Sequence, residues 1–120
     1  MSERAPSVIG IGHIAIDCER PRQLGEFWAA VLGGALEVSP DGDATLSTPT
    51  GHYVDFLRVP ELKERKNRMH FDLHSLDLGL AVKEVQALGA TKADDISCGA
   101  RFQVLRDPEG NEFCILSPRT

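Results

Sequence analysis

The chain repeats itself, and the repeat restricts it to architectures built from two similar units. Ile11-Gly12-His13-Ile14-Ala15-Ile16-Asp17 returns as Arg68-Met69-His70-Phe71-Asp72-Leu73-His74. Leu32-Gly33-Gly34-Ala35 returns as Leu88-Gly89-Ala90-Thr91. Pro49-Thr50-Gly51-His52-Tyr53-Val54-Asp55-Phe56 returns without a gap as Pro108-Glu109-Gly110-Asn111-Glu112-Phe113-Cys114-Ile115. Three landmarks in the same order make a duplicated unit, and the alignment pairs His13 with His70 and Asp55 with Cys114. A pseudo-twofold fold is expected to gather those four side chains around one cavity.

Each unit reads β-α-β-β-β. In the first, the strand over 8–17 is β-rich and alternates in its second part. Pro21 suits the first turn of a helix, whose stripe is Leu24, Phe27, Trp28, Val31 and Leu32. Gly33-Gly34 ends it, since glycine accepts a left-handed cap. Strands over 35–38, 44–48 and 53–59 follow, divided by Pro40-Asp41-Gly42-Asp43 and Pro49-Thr50-Gly51. In the second, a strand over 69–74 leads to Ser75 or Asp77 as a helix cap. Leu78, Ala81, Val82, Val85 and Leu88 make the stripe and Gly89 stops it. Strands near 91–94, 102–106 and 112–116 complete the unit, with 95–101 the least regular segment. The polar run over 60–68 is a linker. Neither half buries a core alone, so 8–59 and 69–117 are expected to pack as two modules of one domain over 1–120.

Composition narrows the class of function. At 120 residues, 42% apolar and 26% charged, the chain has the makeup of a soluble globular domain. A net charge of −5 argues against a nucleic-acid partner. No apolar run approaches the roughly 20 residues of a membrane span. The first residues lack the apolar stretch of a secretory signal, and three widely spaced cysteines fit free thiols. A cytoplasmic location is expected, with Cys18 and Cys98 structural. Glycine-rich phosphate loops, Ser-His-Asp sets and CxxC motifs are missing from the sequence, which removes nucleotide hydrolases, serine hydrolases and thiol redox enzymes.

Strand alternation assigns the faces. The helices should cover Ile14, Ile16, Val54, Phe56, Phe71, Leu73, Phe113 and Ile115. The opposite face then carries His13, Asp17, Tyr53, Asp55, Leu57, His70, Asp72, His74, Glu112, Cys114 and Leu116. Two histidines, carboxylates and a thiol among apolar groups suit a concave site.

These features together resemble the vicinal oxygen chelate superfamily: paired β-α-β-β-β units, His in the first and fifth strands, Phe27-Trp28 in a helix ending Leu-Gly, and Asp107-Pro108-Glu109-Gly110-Asn111-Glu112-Phe113 before the last strand. Glyoxalase I, fosfomycin-resistance proteins, extradiol dioxygenases and methylmalonyl-CoA epimerase belong to that superfamily. Lys66-Asn67-Arg68-Met69-His70-Phe71-Asp72-Leu73 and 107–114 resemble its actinobacterial glyoxalase-like subgroup. The resemblance spans essentially the whole chain. It implies an α+β fold in which two tandem βαβββ modules form one curved mixed sheet around a cavity, helices outside. It also implies a homodimer and a divalent metal held from the first, fourth, fifth and eighth strands, here at His13, Asp55, His70 and Cys114. Asp55 stands where relatives often have Glu. Cys114 stands where the enzymes usually have Glu, and a thiolate there would favour Zn over Fe, Mn or Ni. The cavity walls, and so the small-molecule contacts, fall to Tyr53, Leu57, Phe102 and Leu116, with Asp72 and His74 at the rim or on the substrate.

Two functions compete at this point. One is a metal-dependent lyase, isomerase or dioxygenase acting on a small oxygenated molecule. The other is a metal-free protein that sequesters a small molecule or drug, the Cys114 departure having abolished the ion site.

Overall fold

The computed structural model describes residues 13–59, 70–96 and 99–118. The first module runs β1 (Ile14–Cys18), α1 (Pro21–Leu32), β2 (Ala35–Val38), β3 (Ala44–Ser47) and β4 (Tyr53–Arg58). The second runs β5 (Phe71–His74), α2 (Leu78–Ala87), β6 (Thr91–Lys92), β7 (Phe102–Arg106) and β8 (Glu112–Leu116). Each module closes a four-stranded sheet, in the orders β1-β4-β3-β2 and β5-β8-β7-β6. The β1/β4 and β5/β8 ladders are parallel and the others antiparallel. Among the described residues β1 and β5 are sheet edges, so the expected curved sheet is two hydrogen-bonded halves meeting at a seam. The linker over 60–68, Met69, Cys98 and the start of the first expected strand lie outside the described residues.

Local chemistry sets the element ends. Pro21 opens α1, and Gly33, at φ 80°, closes it with its N–H donating to Ala29 O at 2.8 Å. Gly34 is required more strictly. Its φ is 102°, and a Cβ there would lie 2.0 Å from the Ser47 carbonyl oxygen. Of the two candidate caps for α2, Asp77 takes the role and accepts from the Leu80 N–H at 3.0 Å. β6 is two residues long where four were expected. Ala93 is fully buried and makes the last ladder contact, its N–H donating to Val104 O at 3.0 Å, while its carbonyl turns away to accept from Ile96 N.

The helices bury the face that alternation assigns to them. Leu24, Phe27 and Trp28 of α1 and Val82 and Val85 of α2 join Val54, Phe56, Leu105, Phe113 and Ile115 in one core. Trp28, from the first module, packs edge-on against Phe71 and Phe113 of the second, with ring centroids at 5.3 and 4.9 Å. Its indole N–H donates to Asp107 Oδ2 at 3.1 Å. Glu109 accepts from the backbone N–H groups of Glu19 and Arg20 at 2.6 and 2.7 Å. A carboxylate is thereby placed at the positive end of α1, where Arg20 offers no side-chain cap. The 107–111 turn of one module thus grips the helix of the other at its start and at its middle.

Candidate functional site

The helix-free face of the first sheet centres on Asp55. Register places Asp55 between Ala15 of β1 and Thr45 of β3. Thr45 Oγ1 donates to Asp55 Oδ1 at 2.7 Å, and His13 Nδ1 lies 2.9 Å from Asp55 Oδ2. Tyr53 stacks on the other side of the His13 ring, centroids 5.0 Å apart. Burial opposes ionisation of Asp55, but the hydrogen bonds from Thr45 and His13 outweigh it and hold the carboxyl below its ordinary range. An ionised carboxylate only accepts, so Nδ1 of His13 donates and its Nε2 stays open. That is the arrangement by which a carboxylate orients an imidazole for an ion or a proton. His13 remains half exposed while Asp55 is mostly covered.

The second sheet carries a similar pair in a different layout. His70 Nε2 lies 3.0 Å from Asp72 Oδ1, both side chains about half exposed. Asp72 pairs in register with Cys114. Cys114 is 7% exposed, and burial, then the Asp72 charge, push its thiol above the ordinary value. With no ion beside it, it is a protonated thiol at neutral pH. Cys18 is buried likewise, its thiol pushed up to about 12 chiefly by burial, which agrees with a structural role. Glu112, also buried, faces Arg106 Nε at 3.7 Å, and Arg106 makes a two-pronged contact with Asp95 at 2.9 and 2.7 Å.

A cavity of about 430 Å³ opens at the seam, lined by Ala15, Asp17, Trp28, His70, Phe71 and Glu112 among others. That volume falls in the range of small-molecule sites. The remaining residues expected to touch substrate are dispersed. Tyr53 backs His13, and Leu57 shares its face opposite Asp17. Phe102 and Leu116 are register partners at one end of the second sheet. His74 lines a separate cleft of about 340 Å³ with Leu80 of α2 and Leu88 at its C-cap. Sequence reasoning did not find Thr45, Asp107 or the Glu109 contact. A threonine across the ladder from a candidate carboxylate was the only available signal for the first.

Of the four expected ligands, the structure joins His13 to Asp55 and leaves His70 with Asp72. Among the described residues no three His, Cys, Asp or Glu side chains of one chain converge to hold an ion. N and O donors of these types serve Mn, Fe, Ni and Zn, but one chain brings them together only in pairs, one imidazole–carboxylate contact in each module. Among the described residues no helix is long and apolar enough to cross a membrane.

Comparison with known proteins agrees with this architecture. Residues 13–116 match the family profile described as a glyoxalase-like domain. No curated protein sequence matches the chain. Among solved structures, a fosfomycin resistance protein, FosX, from Listeria monocytogenes superposes with a TM-score of 0.72 at 13% identity, covering 91% of this chain and 90% of that one. That FosX crystal contained Mn(II) and 1S,2S-dihydroxypropylphosphonic acid. A glyoxalase/bleomycin resistance protein/dioxygenase family enzyme from Burkholderia phytofirmans PsJN gives a TM-score of 0.70 at 19% identity, covering 88% of this chain and 96% of that one. Hypothetical protein SA1046 from S. aureus gives 0.71 at 13% identity, over 93% and 96%. At these identities the likeness is one of fold.

Proposed function

The chain belongs to the glyoxalase-like domain family, and from that premise we propose that it is a divalent-metal-dependent lyase or isomerase. Its substrate is a small oxygenated molecule held against the helix-free faces of its sheets. The observation that carries this reading is that each module presents an accessible histidine in contact with a carboxylate on that face. Thr45 fixes Asp55, Asp55 holds one nitrogen of His13, and Tyr53 braces the ring, leaving Nε2 without an internal hydrogen bond among the described residues. His70 and Asp72 supply the complementary pair. A bound Mn, Fe, Ni or Zn ion would polarise a chelated substrate oxygen as a Lewis acid. Because the two pairs do not form one cluster within a chain, a homodimer that apposes one module's pair with the partner's is the natural way to complete the site.

The test is the metal content of untagged protein beside a His13→Ala/His70→Ala double variant, with sedimentation on both. Near-stoichiometric metal in the parent that disappears in the double variant supports the reading. A metal-free parent that gains no thermal stability from added divalent ions refutes it. The second reading, metal-free sequestration of a small molecule, is favoured by Cys114, a buried protonated thiol where relatives place a ligand. Ligand binding that survives chelator would select it.

A further inference from the structure

The cleft that His74 lines lies on the helix side of the sheets, away from the histidine–carboxylate pairs. Its floor includes Leu73 and Ile115, and its walls are the C-terminal end of α1 and the length of α2. α2 is apolar on two stripes. The inner one, Val82 and Val85, enters the core. The outer one, Leu80 and Leu88, is 55% and 44% exposed, and Leu76, just before the helix, is 97% exposed. Of the five large apolar side chains left exposed among the described residues, these three border one cleft. Single exposed leucines are ordinary, but three around one concavity mark an interaction surface.

Leu76 also leaves a local contact unmade. It precedes the cap Asp77, and an apolar residue there ordinarily folds back onto the fourth helical residue, here Ala81. Exposed as it is, Leu76 contributes little to α2 and stands beside the cleft instead.

The rim carries one sign of charge. Asp77 and Glu84 line the cleft, with no lysine or arginine among the described residues that line it. Glu84 stands between Leu80 and Leu88 on one line of the helix, four residues from each. A twofold axis through the cleft would set these carboxylates against their own images, which disfavours a second copy. The surface is also short. α2 has 10 residues and so runs about 15 Å, the length of a single helix rather than the face of a folded partner.

We propose that this cleft docks an amphipathic helix from a partner protein, apolar where it meets Leu76, Leu80 and Leu88 and basic where it meets Asp77 and Glu84. About three turns of helix match α2, with apolar anchors three or four residues apart. The surface is separate from the ion reading and does not depend on it.

Fluorescence anisotropy with a labelled, amidated peptide of about 14 residues, leucine on one helical face and lysine on the other, tests this on the full chain. The same leucine pattern with glutamate in place of lysine is the control. The lysine peptide is expected to bind at least about tenfold tighter than the glutamate peptide. Leu76→Ser/Leu80→Ser, at two exposed positions that folding does not need, should weaken it at least about tenfold. Glu84→Lys should abolish the preference for lysine. Glu37→Lys, the same charge change on the helix-free face of the first sheet, should stay within about twofold at physiological salt. Equal affinity for the two peptides, or affinity that survives Leu76→Ser/Leu80→Ser, overturns the proposal. Sedimentation of the chain alone tests the competing occupant: a dimer that Leu76→Ser/Leu80→Ser dissociates gives the cleft to a second copy and overturns the proposal as well.

Discussion

Replacing Trp28 with Phe tests whether the 107–111 turn really joins the two modules. Trp28 is 1% exposed, boxed by Phe27, Phe71 and Phe113 with centroids 4.9 to 5.3 Å away. Phenylalanine keeps one ring in that box and removes the N–H that Asp107 Oδ2 accepts at 3.1 Å. A hydrogen bond to a buried carboxyl contributes about 1.5–3 kcal/mol. The lost ring volume, about 40 Å³ at about 24 cal/mol per Å³, adds about 1 kcal/mol. The expected destabilisation is therefore about 3 kcal/mol, or roughly 10 °C in Tm for a domain of this size. Urea unfolding at pH 7 gives the free energy, and a cycle with Asp107→Ala isolates the pair. A coupling of about 1.5 kcal/mol or more is expected. A coupling below about 0.5 kcal/mol would mean the indole–carboxyl contact does not hold the modules together, whatever the Tm of the single variant.

Two further outcomes follow from particular backbone and charge environments. Gly34→Ala must place a Cβ against the Ser47 carbonyl at φ 102°, so a loss above about 3 kcal/mol is expected in urea unfolding, and near-parental stability would show that the α1–β2 turn is mispositioned. Burial pushes the Asp107 carboxyl above its ordinary value, against donors from Asn111, Trp28 and Glu109 that favour the anion. The folded protein therefore binds the extra proton, and stability falls as pH rises from the unfolded value of about 4 through the raised folded value. Relative to Asp107→Asn, which cannot titrate there, the parent should lose urea-midpoint advantage between pH 3.5 and pH 7, and a gain over that window would reverse the sign of the burial effect.

Much of this fold was legible because its signals are local. The stripe Leu24-Phe27-Trp28, the stop at Gly33-Gly34 and the breaker at Pro49-Thr50-Gly51 act within a few residues of themselves. Strand alternation assigned Val54, Phe56, Phe113 and Ile115 to the core correctly, since a one-residue slip would expose all of them. What sequence did not reveal lies across the ladders or between the modules. His13 meets Asp55 through a parallel register 42 positions away. Trp28 reads in sequence as a plain core residue, and its contact with Asp107 depends on how the second module docks on α1. The separation of His74 from the other polar groups follows from its place at the strand end beside α2.

At equivalent levels of the two sheets the carboxylate stands on β4 in the first module, as Asp55 opposite Ala15, and on β5 in the second, as Asp72 opposite Cys114, and burial gives this exchange a physical cause. β4 is covered on the helix side and stays open on the other, so Asp55 keeps partial access to solvent. β8 is buried at four consecutive positions, Glu112 to Ile115, on both faces. A carboxylate at position 114 would lose its hydration and sit across one ladder step from Asp72, and both effects disfavour the anion. β5 is a sheet edge among the described residues, and Asp72 there stays half exposed. Cys114→Asp with Asp72 intact should therefore destabilise the metal-free chain by about 2 kcal/mol at pH 8, through a raised carboxyl pKa. The folded state then holds a proton that the unfolded state has released, so the penalty should grow as pH rises from about 4. Urea unfolding in chelator at pH 4 and pH 8 measures it. A penalty equal at both pH values would reflect side-chain shape rather than charge, and burial would no longer explain why the carboxylate stands on β5.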